Sequence, residues 1–378
     1  MKPVFILNCG STSVKYTLFD CETGCRRLTE GVIERVTERF GNHHEVLQML
    51  FTKLRASGRL LHPERLHAAV HRVVHGGERF TEPAVIDREV LAQIRRLMPV
   101  APLHNPANVA GIEAMRKIAP QIRQIAVFDT AFHQTMPPEA YRYAIPQRCY
   151  TSEGIRRFGF HGISHHYLRD RAAAYLGIES KKANLITLHL GGGASAAAIK
   201  EGKSVDTSMG FTPLEGLVMG TRSGDLDPGI VTYWARDLGM EYSEIDTLLN
   251  HESGLAGLCG KSDMRDILAA VKEGDSSARF AFDLFCRRIR KYIGAYMVLL
   301  DRVDALVFSG GIGSNSAEVR EAVCKGLERF GFCIDAGRNR RACDDVIQIS
   351  SEKSASAILA IRTDEALQMA KEAMQYIT

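Results

Sequence analysis

The chain begins with an apolar run, "PVFIL", followed by "NCGSTS" and then by "VKYTLFD", in which β-branched and aromatic positions alternate with polar ones. This pattern predicts a strand, a Gly/Ser turn and a second strand. The same layout returns between Asn184 and Gly210, with strand "LITLHL", turn "GGGAS", strand "AAAIK", turn "EGK" and strand "SVDTSM". A strand-loop-strand unit repeated about one domain length apart implies duplicated halves.

Helical periodicity fills the intervening segments. "EVLAQIRRLMPVAPLHNPANVAGIEAMRKIA" breaks at Pro99 and Pro102 and restarts near Asn105-Pro106 as an amphipathic helix. "ARFAFDLFCRRIRKYIGAYMVLL" sets Phe282, Phe285, Ile289, Ile293 and Met297 on one stripe, interrupted by four basic residues, so it should pack on a core. "DALVFSGGIGSNSAEVREAVCKGL" reads as strand, glycine loop and helix, with Ser316 as N-cap and Val319, Val323 and Leu327 inside. The final "TDEALQMAKEAMQYI" is a helix capped by Thr363 or Asp364. The fold class expected is therefore α/β, with sheets covered by helices.

At 378 residues the chain exceeds one ordinary core and suggests two domains. A hydrophobic content of 45%, a charged content of 24% and a net charge of +4 describe a globular enzyme surface. With no basic tract, neither nucleic acid nor a membrane is an expected partner. The nine cysteines are scattered, and the nearest pair, Cys21 and Cys25, has no second pair or histidine to complete a zinc set. The first residues carry too brief an apolar run for a signal peptide, and no segment has the length of a membrane span, so a cytoplasmic location is expected.

Three glycine-rich loops carry the first chemistry. Gly10–Lys15 offers backbone N–H groups, hydroxyls and a lysine to a phosphate, although the spacing is not that of a P-loop and a strand follows. Gly191–Ser195 repeats that form, and Ser309–Gly313 sits between a strand and a helix, where nucleotides often bind. Each alone is also an ordinary turn; together they favour an ATP site. Arg72, before Gly76-Gly77, and Arg222, in "MGTRSGDLDPG" ahead of Asp225 and Asp227, have the small neighbours that suit bidentate contact with a carboxylate or phosphate; a surface ion pair is the plain alternative. His161 and His165 have the spacing of a zinc pair, but Gly162 argues for a helix that starts after His161, leaving a phosphate-contacting histidine as the functional reading. Asp129 ends the strand "QIAVF", where catalytic carboxylates tend to lie, or else caps the turn that follows.

The motifs "NCGSTSVKY", "HRVVHGGERF", "APLHNPANVAGI", "VFDTAFHQTMP", "RFGFHGISHHY", "HLGGGAS", "MGTRSGDLDPG" and "SGGIGSNS", in this order and spanning nearly the whole chain, resemble those of the acetate kinase family. That family belongs to the superfamily of sugar kinases, heat-shock 70 proteins and actin, whose phosphate loops are β-hairpin turns. The resemblance implies two ribonuclease H-like domains, residues 1–145 plus 360–378 and residues 146–359, with an active-site cleft between them and assembly as a homodimer. By the same resemblance Asn8 and Glu365 are magnesium-site residues, Mg²⁺ being replaceable by Mn²⁺, and Lys15 contacts ATP. Arg72 binds the substrate, Asp129 is the catalytic aspartate, and His161 and Arg222 stabilise the transition state. The nucleotide segments are His189, Leu190, Gly191, Gly192 and Gly193; Asp263, Met264 and Arg265; and Gly311, Ile312, Gly313, Ser314 and Asn315. Val74, Leu103, Phe160 and Pro213 form the pocket for a methyl group.

The reaction implied is reversible phosphoryl transfer between ATP and acetate, giving acetyl phosphate and ADP. A carboxylate acceptor is already ionised at neutral pH, so it needs cations against phosphate repulsion rather than a strong base. Asp129 is then expected to orient Arg72 or a magnesium-bound water. Three positions depart from the family pattern: Gly192 stands for an asparagine, Ser314 for a glutamate and Ala366 for a second acid, while the segment "ERVTERFGNHHEV" looks shortened. A propionate kinase on the same fold and a non-catalytic, actin-like nucleotide switch are the alternatives.

Overall fold

A computed structural model describes residues 2–60, 62–102 and 104–377. The chain forms two compact units, one of Met1–Gln134, Gly162–Ser164 and Asp364–Thr378, the other of Thr135–His161 and His165–Thr363.

The first unit is built on a six-stranded sheet. Its strands are β1 (Pro3–Cys9), β2 (Ser13–Asp20), β3 (Arg26–Glu34), β4 (Ala68–Val73), β5 (Ala84–Val85) and β6 (Gln124–Phe128), in the order β3-β2-β1-β4-β6-β5. Strands β1, β2 and β3 form an antiparallel meander; β4 runs parallel to β1 and β6 parallel to β4. The apolar run at the start of β1 is buried throughout because the strand is central and both its faces are covered. On one face, Phe5, Leu7 and Cys9 pack with Leu47, Leu50 and Met115. These come from helices α1 (His43–Ala56) and, beyond the Arg88–Arg96 helix α2, α3 (Asn105–Ile118). Pro106 occupies the first turn of α3, where its missing N–H costs no hydrogen bond. On the other face, Val4 and Ile6 pack with Val70, Ile125, Val127 and Ile163, and with Met369, Ala370 and Ala373 of the C-terminal helix Glu365–Ala373.

The second unit repeats this plan. Its strands are β7 (Leu185–Leu190), β8 (Ala194–Lys200), β9 (Lys203–Thr207), β10 (Ala305–Ser309), β11 (Val346–Gln348) and β12 (Ala357–Ile361). Their order, β11-β12-β10-β7-β8-β9, is that of the first sheet with every strand number raised by six. Antiparallel and parallel pairings match as well, so the duplicated α/β halves expected from the repeated strand-loop-strand units are present. The helices that frame this sheet's site are α4 (Gly162–Leu176), α5 (Met264–Lys272), α6 (Ser276–Leu299), α7 (Gly310–Asn315) and α8 (Ala317–Cys324); the C-terminal helix is α9. In α6 the buried stripe is Phe282, Phe285, Ile289, Ile293 and Tyr296, with Met297 only half-buried, because a period of 3.6 residues alternates steps of three and four. The glycine loop expected after β10 is instead the short helix α7, and the Ser316 hydroxyl then caps α8 by accepting from Val319 N–H at 3.2 Å. Asp364, not Thr363, caps α9, accepting from Leu367 N–H at 2.9 Å. Among the described residues no helix is long and apolar enough to cross a membrane.

Under α3, His71 of β4 is buried, and in the amide orientation that satisfies both groups the Gln124 side chain donates to its Nε2 at 2.7 Å. Burial lowers the His71 pKa from 6.5 to about 4. Between those values the unfolded chain binds a proton that the folded chain excludes, so this site destabilises the fold as pH falls from 6.5 to 4 and has no effect above. Denaturant titrations at pH 7 and pH 4.5 should show the wild type losing about 2–3 kcal/mol more than His71→Leu. Identical losses in the two proteins would remove His71 as the acid-sensitive group.

Candidate active site

Side chains alternate between the faces of a strand, and this places five of the expected residues together in the first unit. Asn8 follows Val4 and Ile6 on the face that α9 covers, and Lys15 of β2 is its directly paired neighbour. Arg72 follows Ala68 and Val70 on β4, and Asp129 follows Ile125 and Val127 just past β6, on that same face. Glu365 begins α9 and is close enough to act electrostatically on both Arg72 and Asp129. The group therefore gathers at the C-terminal ends of parallel strands, the edge at which α/β sheets bind ligands.

Arg72 and Asp129 form a two-point pair. Arg72 Nε donates to Oδ1 at 3.0 Å and Nη2 to Oδ2 at 2.5 Å, with the carboxylate 1% exposed and the arginine side chain 19% exposed. Burial opposes the Arg72 charge, but Asp129 and Glu365 more than offset it and hold the guanidinium protonated above its ordinary range. Burial likewise pushes the Asp129 carboxyl up, against the pull of Arg72. The pair uses one edge of the guanidinium; Nη1 is left out of the two-point contact with Asp129. The loop after β4 is fixed from α3: Asn108 Oδ1 accepts from Val74 N–H and Asn105 Oδ1 from His75 N–H, both at 3.1 Å. Asn108 also donates to the Cys9 carbonyl at 2.8 Å, tying this loop to the β1–β2 turn. The glycines beside Arg72 have a packing reason, since a methyl group on Gly76 would lie 2.8 Å from the Phe128 ring and Gly77 adopts φ +64°. Ala366 packs against the core under α9, so the position that carries an acid in the family pattern faces apolar side chains here.

In the second unit His189 pairs directly with Ser195, the register position that Asn8 and Lys15 hold in the first. His161 precedes α4 at φ +56°, its ring stacked on His189 with centroids 4.3 Å apart, and its Nδ1 is 2.9 Å from Ser195 Oγ. A methyl group on Gly193 would stand 3.4 Å from His161 Nε2 and 3.7 Å from Arg222 Nη1, so histidine, arginine and glycine turn converge. Arg222 donates to the Pro213 carbonyl at 2.9 Å and, among the described residues, has no carboxylate partner; burial lowers its pKa. A desolvated cation without an anion is a ready site for a phosphoryl group. The Gly191–Gly193 turn lies next to α7: a Cβ on Gly191 would be 4.0 Å from Gly311 N. Ile312 and Gly313 continue α7. Ser314 is buried and donates to the Gly310 carbonyl at 2.7 Å, and Asn315 donates to that of Gly311 at 2.9 Å. Leu190 is wholly buried. Asp263 caps α5, whose first residue is Met264, and pairs with the exposed Arg265, whose hydrogen bonds hold the carboxyl down at about 2.

For the apolar pocket, Val74 is buried in the first unit, Phe160 is buried and Pro213 half-buried in the second, and Leu103 lies outside the described residues. Motif reading named Ser195 only as the end of a glycine turn and Asn105 only as the start of a helix, and it passed over Thr187 and Asn108. The alternation of Thr187 and His189 in an otherwise apolar "LITLHL" was a signal for one polar face.

Hairpin glycine turns repeated in two sheets of one order, with a half-buried arginine at a strand end of one and another beside the glycine turn of the other, equip a phosphotransferase. Similarity to known proteins makes the class specific. The chain belongs to the acetokinase family, whose pattern it matches over residues 36–371. It is 46% identical to an acetate kinase of Syntrophobacter fumaroxidans, over 99% of this chain and 97% of the relative, and 48% identical to one of Streptomyces avermitilis, over 98% and 96%. Among solved structures it resembles Porphyromonas gingivalis acetate kinase, with a TM-score of 0.94 at 40% identity covering both chains fully. It also resembles a Francisella tularensis propionate kinase, with a TM-score of 0.90 at 40% identity over 98% and 99%. The protein is thus a phosphotransferase that uses a carboxyl group as acceptor.

The two glycine-rich segments of the second unit differ in what they tolerate. Gly310 adopts φ +74°, and a methyl group there would meet the Leu190 carbonyl at 2.4 Å, whereas nothing lies within 4 Å of one on Gly192. Chemical denaturation should find Gly192→Asn as stable as wild type and Gly310→Ala weaker by about 1–3 kcal/mol or more. Equal stability of the two variants would contradict this geometry.

Proposed function

We propose that the protein transfers the γ-phosphoryl group of ATP reversibly to acetate, forming acetyl phosphate and ADP, with Mg²⁺ bound. The observation that carries this reading is the buried Arg72–Asp129 pair. It keeps a guanidinium protonated and rotationally fixed, with one edge engaged, so that the other edge can take a small carboxylate. Asp129 orients Arg72; the acceptor has no proton to surrender, and the two-point contact suits an orienting role.

Arg222 and His161 would meet the transferring phosphoryl group and offset its spreading negative charge, consistent with their convergence at the Gly193 turn. Backbone N–H groups of Gly191–Gly193 and Gly311–Asn315 would hold the nucleotide phosphates, and Lys15 is the lysine proposed to contact ATP. Asn8 and Glu365 present hard oxygen donors on one sheet face, a donor set that fits Mg²⁺ or Mn²⁺. When bound, the metal would neutralise phosphate charge. The proposed working form is a cytoplasmic homodimer.

Propionate is the second acceptor worth testing, on the likeness to the Francisella propionate kinase. One methylene changes discrimination by only about 1–3 kcal/mol. Acyl phosphate formation from ATP and Mg²⁺ should give the highest kcat/KM with acetate and less with propionate and butyrate. Arg72→Ala should lower kcat/KM about 100-fold or more, the scale on which a buried charge contact is lost. A maximum at propionate would keep the chemistry and change the acceptor. Absence of acyl phosphate with every acid, beside intact ATP binding, would refute the proposal in favour of a nucleotide switch.

A further inference from the structure

Behind His161 the second unit contains a chain of buried polar groups that the transfer reaction does not itself require. Thr187 Oγ1 is 2.7 Å from His165 Nδ1; His165 Nε2 is 2.9 Å from Ser195 Oγ; and Ser195 Oγ is 2.9 Å from His161 Nδ1. Thr187, His165 and Ser195 are each 0% exposed. Strand alternation puts Thr187 and Ser195 on one face of the second sheet, and the helical spacing of His161 and His165 sets both rings against that face.

Counting hydrogens gives the chain a direction. The Thr187 hydroxyl has His165 Nδ1 as its sole side-chain hydrogen-bond partner among the described residues. If Thr187 accepted from His165, its own buried O–H would have nowhere to donate, at a cost of about 1–3 kcal/mol. Thr187 therefore donates to Nδ1, which leaves the His165 proton on Nε2. That N–H donates to Ser195 Oγ. Ser195 has only one hydrogen and one remaining partner, so its O–H donates to His161 Nδ1. With Nδ1 accepting, the proton of the neutral His161 ring resides on Nε2, the atom that faces the Gly193 turn and Arg222.

We infer that Ser195, His165 and Thr187 are positioning residues which hold His161 in the tautomer whose Nε2–H donates into the site. His161 thereby presents a hydrogen-bond donor to a developing phosphoryl charge without first having to acquire a proton. The stacked His189 ring keeps the imidazole plane in place while the serine fixes its rotation. The inference rests on the proposed role of His161 in phosphoryl transfer, but the tautomer is observable without activity.

Long-range ¹H–¹⁵N correlation spectra of the ¹⁵N-histidine-labelled enzyme test it, with His161→Gln used to assign the signals. Near neutral pH the His161 Nδ1 should show the shift of an unprotonated nitrogen and Nε2 that of a protonated one. A proton on Nδ1, in a neutral or a cationic ring, would overturn the inference. In kinetics, Ser195→Ala and the nearly isosteric Thr187→Val should lower kcat about 10- to 100-fold, the range typical of outer-shell partners, with the KM for ATP and for acetate within about twofold of wild type. These losses should vanish in a His161→Ala background, because the chain acts only through that ring. Equal losses with and without His161 would show a merely structural role and overturn the inference. A His161→Ala enzyme of wild-type kcat, beside the expected tautomer, would support the hydrogen-bond chain and sink the role of His161 in transfer.

Discussion

Strand alternation is the constraint on which both candidate sites depend. In each sheet the residue just before the hairpin turn, Asn8 or His189, shares a face with its paired neighbour, Lys15 or Ser195, and with the end of the adjoining parallel strand, Arg72 or Ser309. A shift of one residue in either register would carry these side chains to the opposite face, among apolar partners such as Cys9 and Leu7. The hydrophobic core and the polar site are thus specified by the same pairing. The burial of Val4, Ile6, Val70 and Val127, worth about 1.5–3 kcal/mol for each large side chain, holds the site residues in place.

On that repeated scaffold the two units handle buried charge differently. Arg72 is neutralised within its own unit, which fixes its orientation and its protonation. Arg222 donates to the Pro213 carbonyl and to Met219 Sδ and, among the described residues, meets no carboxylate, so part of its desolvation cost is uncompensated. Arg320 of α8, more deeply buried than either, supports the fold itself. It donates to the carbonyls of Gly313 and Ser314 and to Asn339, anchoring α7 from behind. The mode of satisfaction, rather than residue type, separates the three. Arg72 is engaged by a carboxylate, Arg222 has no carboxylate partner among the described residues, and Arg320 donates to neutral oxygens.

Much of this was legible beforehand. The duplicated strand-loop-strand units, the break at Pro99–Pro102, the start of a helix after His161 and the place of Asp129 at a strand end all follow from local pattern, and the structure has them. Local pattern failed where a tertiary contact intervened. "SGGIGSN" carries every loop signal yet forms helix α7, because Arg320 collects its terminal carbonyls and Gly310 can take the left-handed turn against Leu190. The glycines next to Arg72 carry a packing demand that local pattern did not show, since one of them is required by the Phe128 ring. Ser195 was noticed only as the end of a glycine turn, because a serine there is unremarkable until two imidazoles, distant in sequence, close on its hydroxyl.

The sequence by itself determined the class of fold, the repeated hairpins and the identity of the cations and glycines, since periodicity and turn chemistry are local properties of a chain. Tertiary structure alone decided which carboxylate holds Arg72, which site cation has no carboxylate partner among the described residues and which hydroxyls and imidazoles come within hydrogen-bond distance beside His161. Those outcomes depend on register between strands far apart in sequence and on burial. A pair such as Arg72 and Asp129 acquires its geometry and its shifted protonation only when packing removes water from around it.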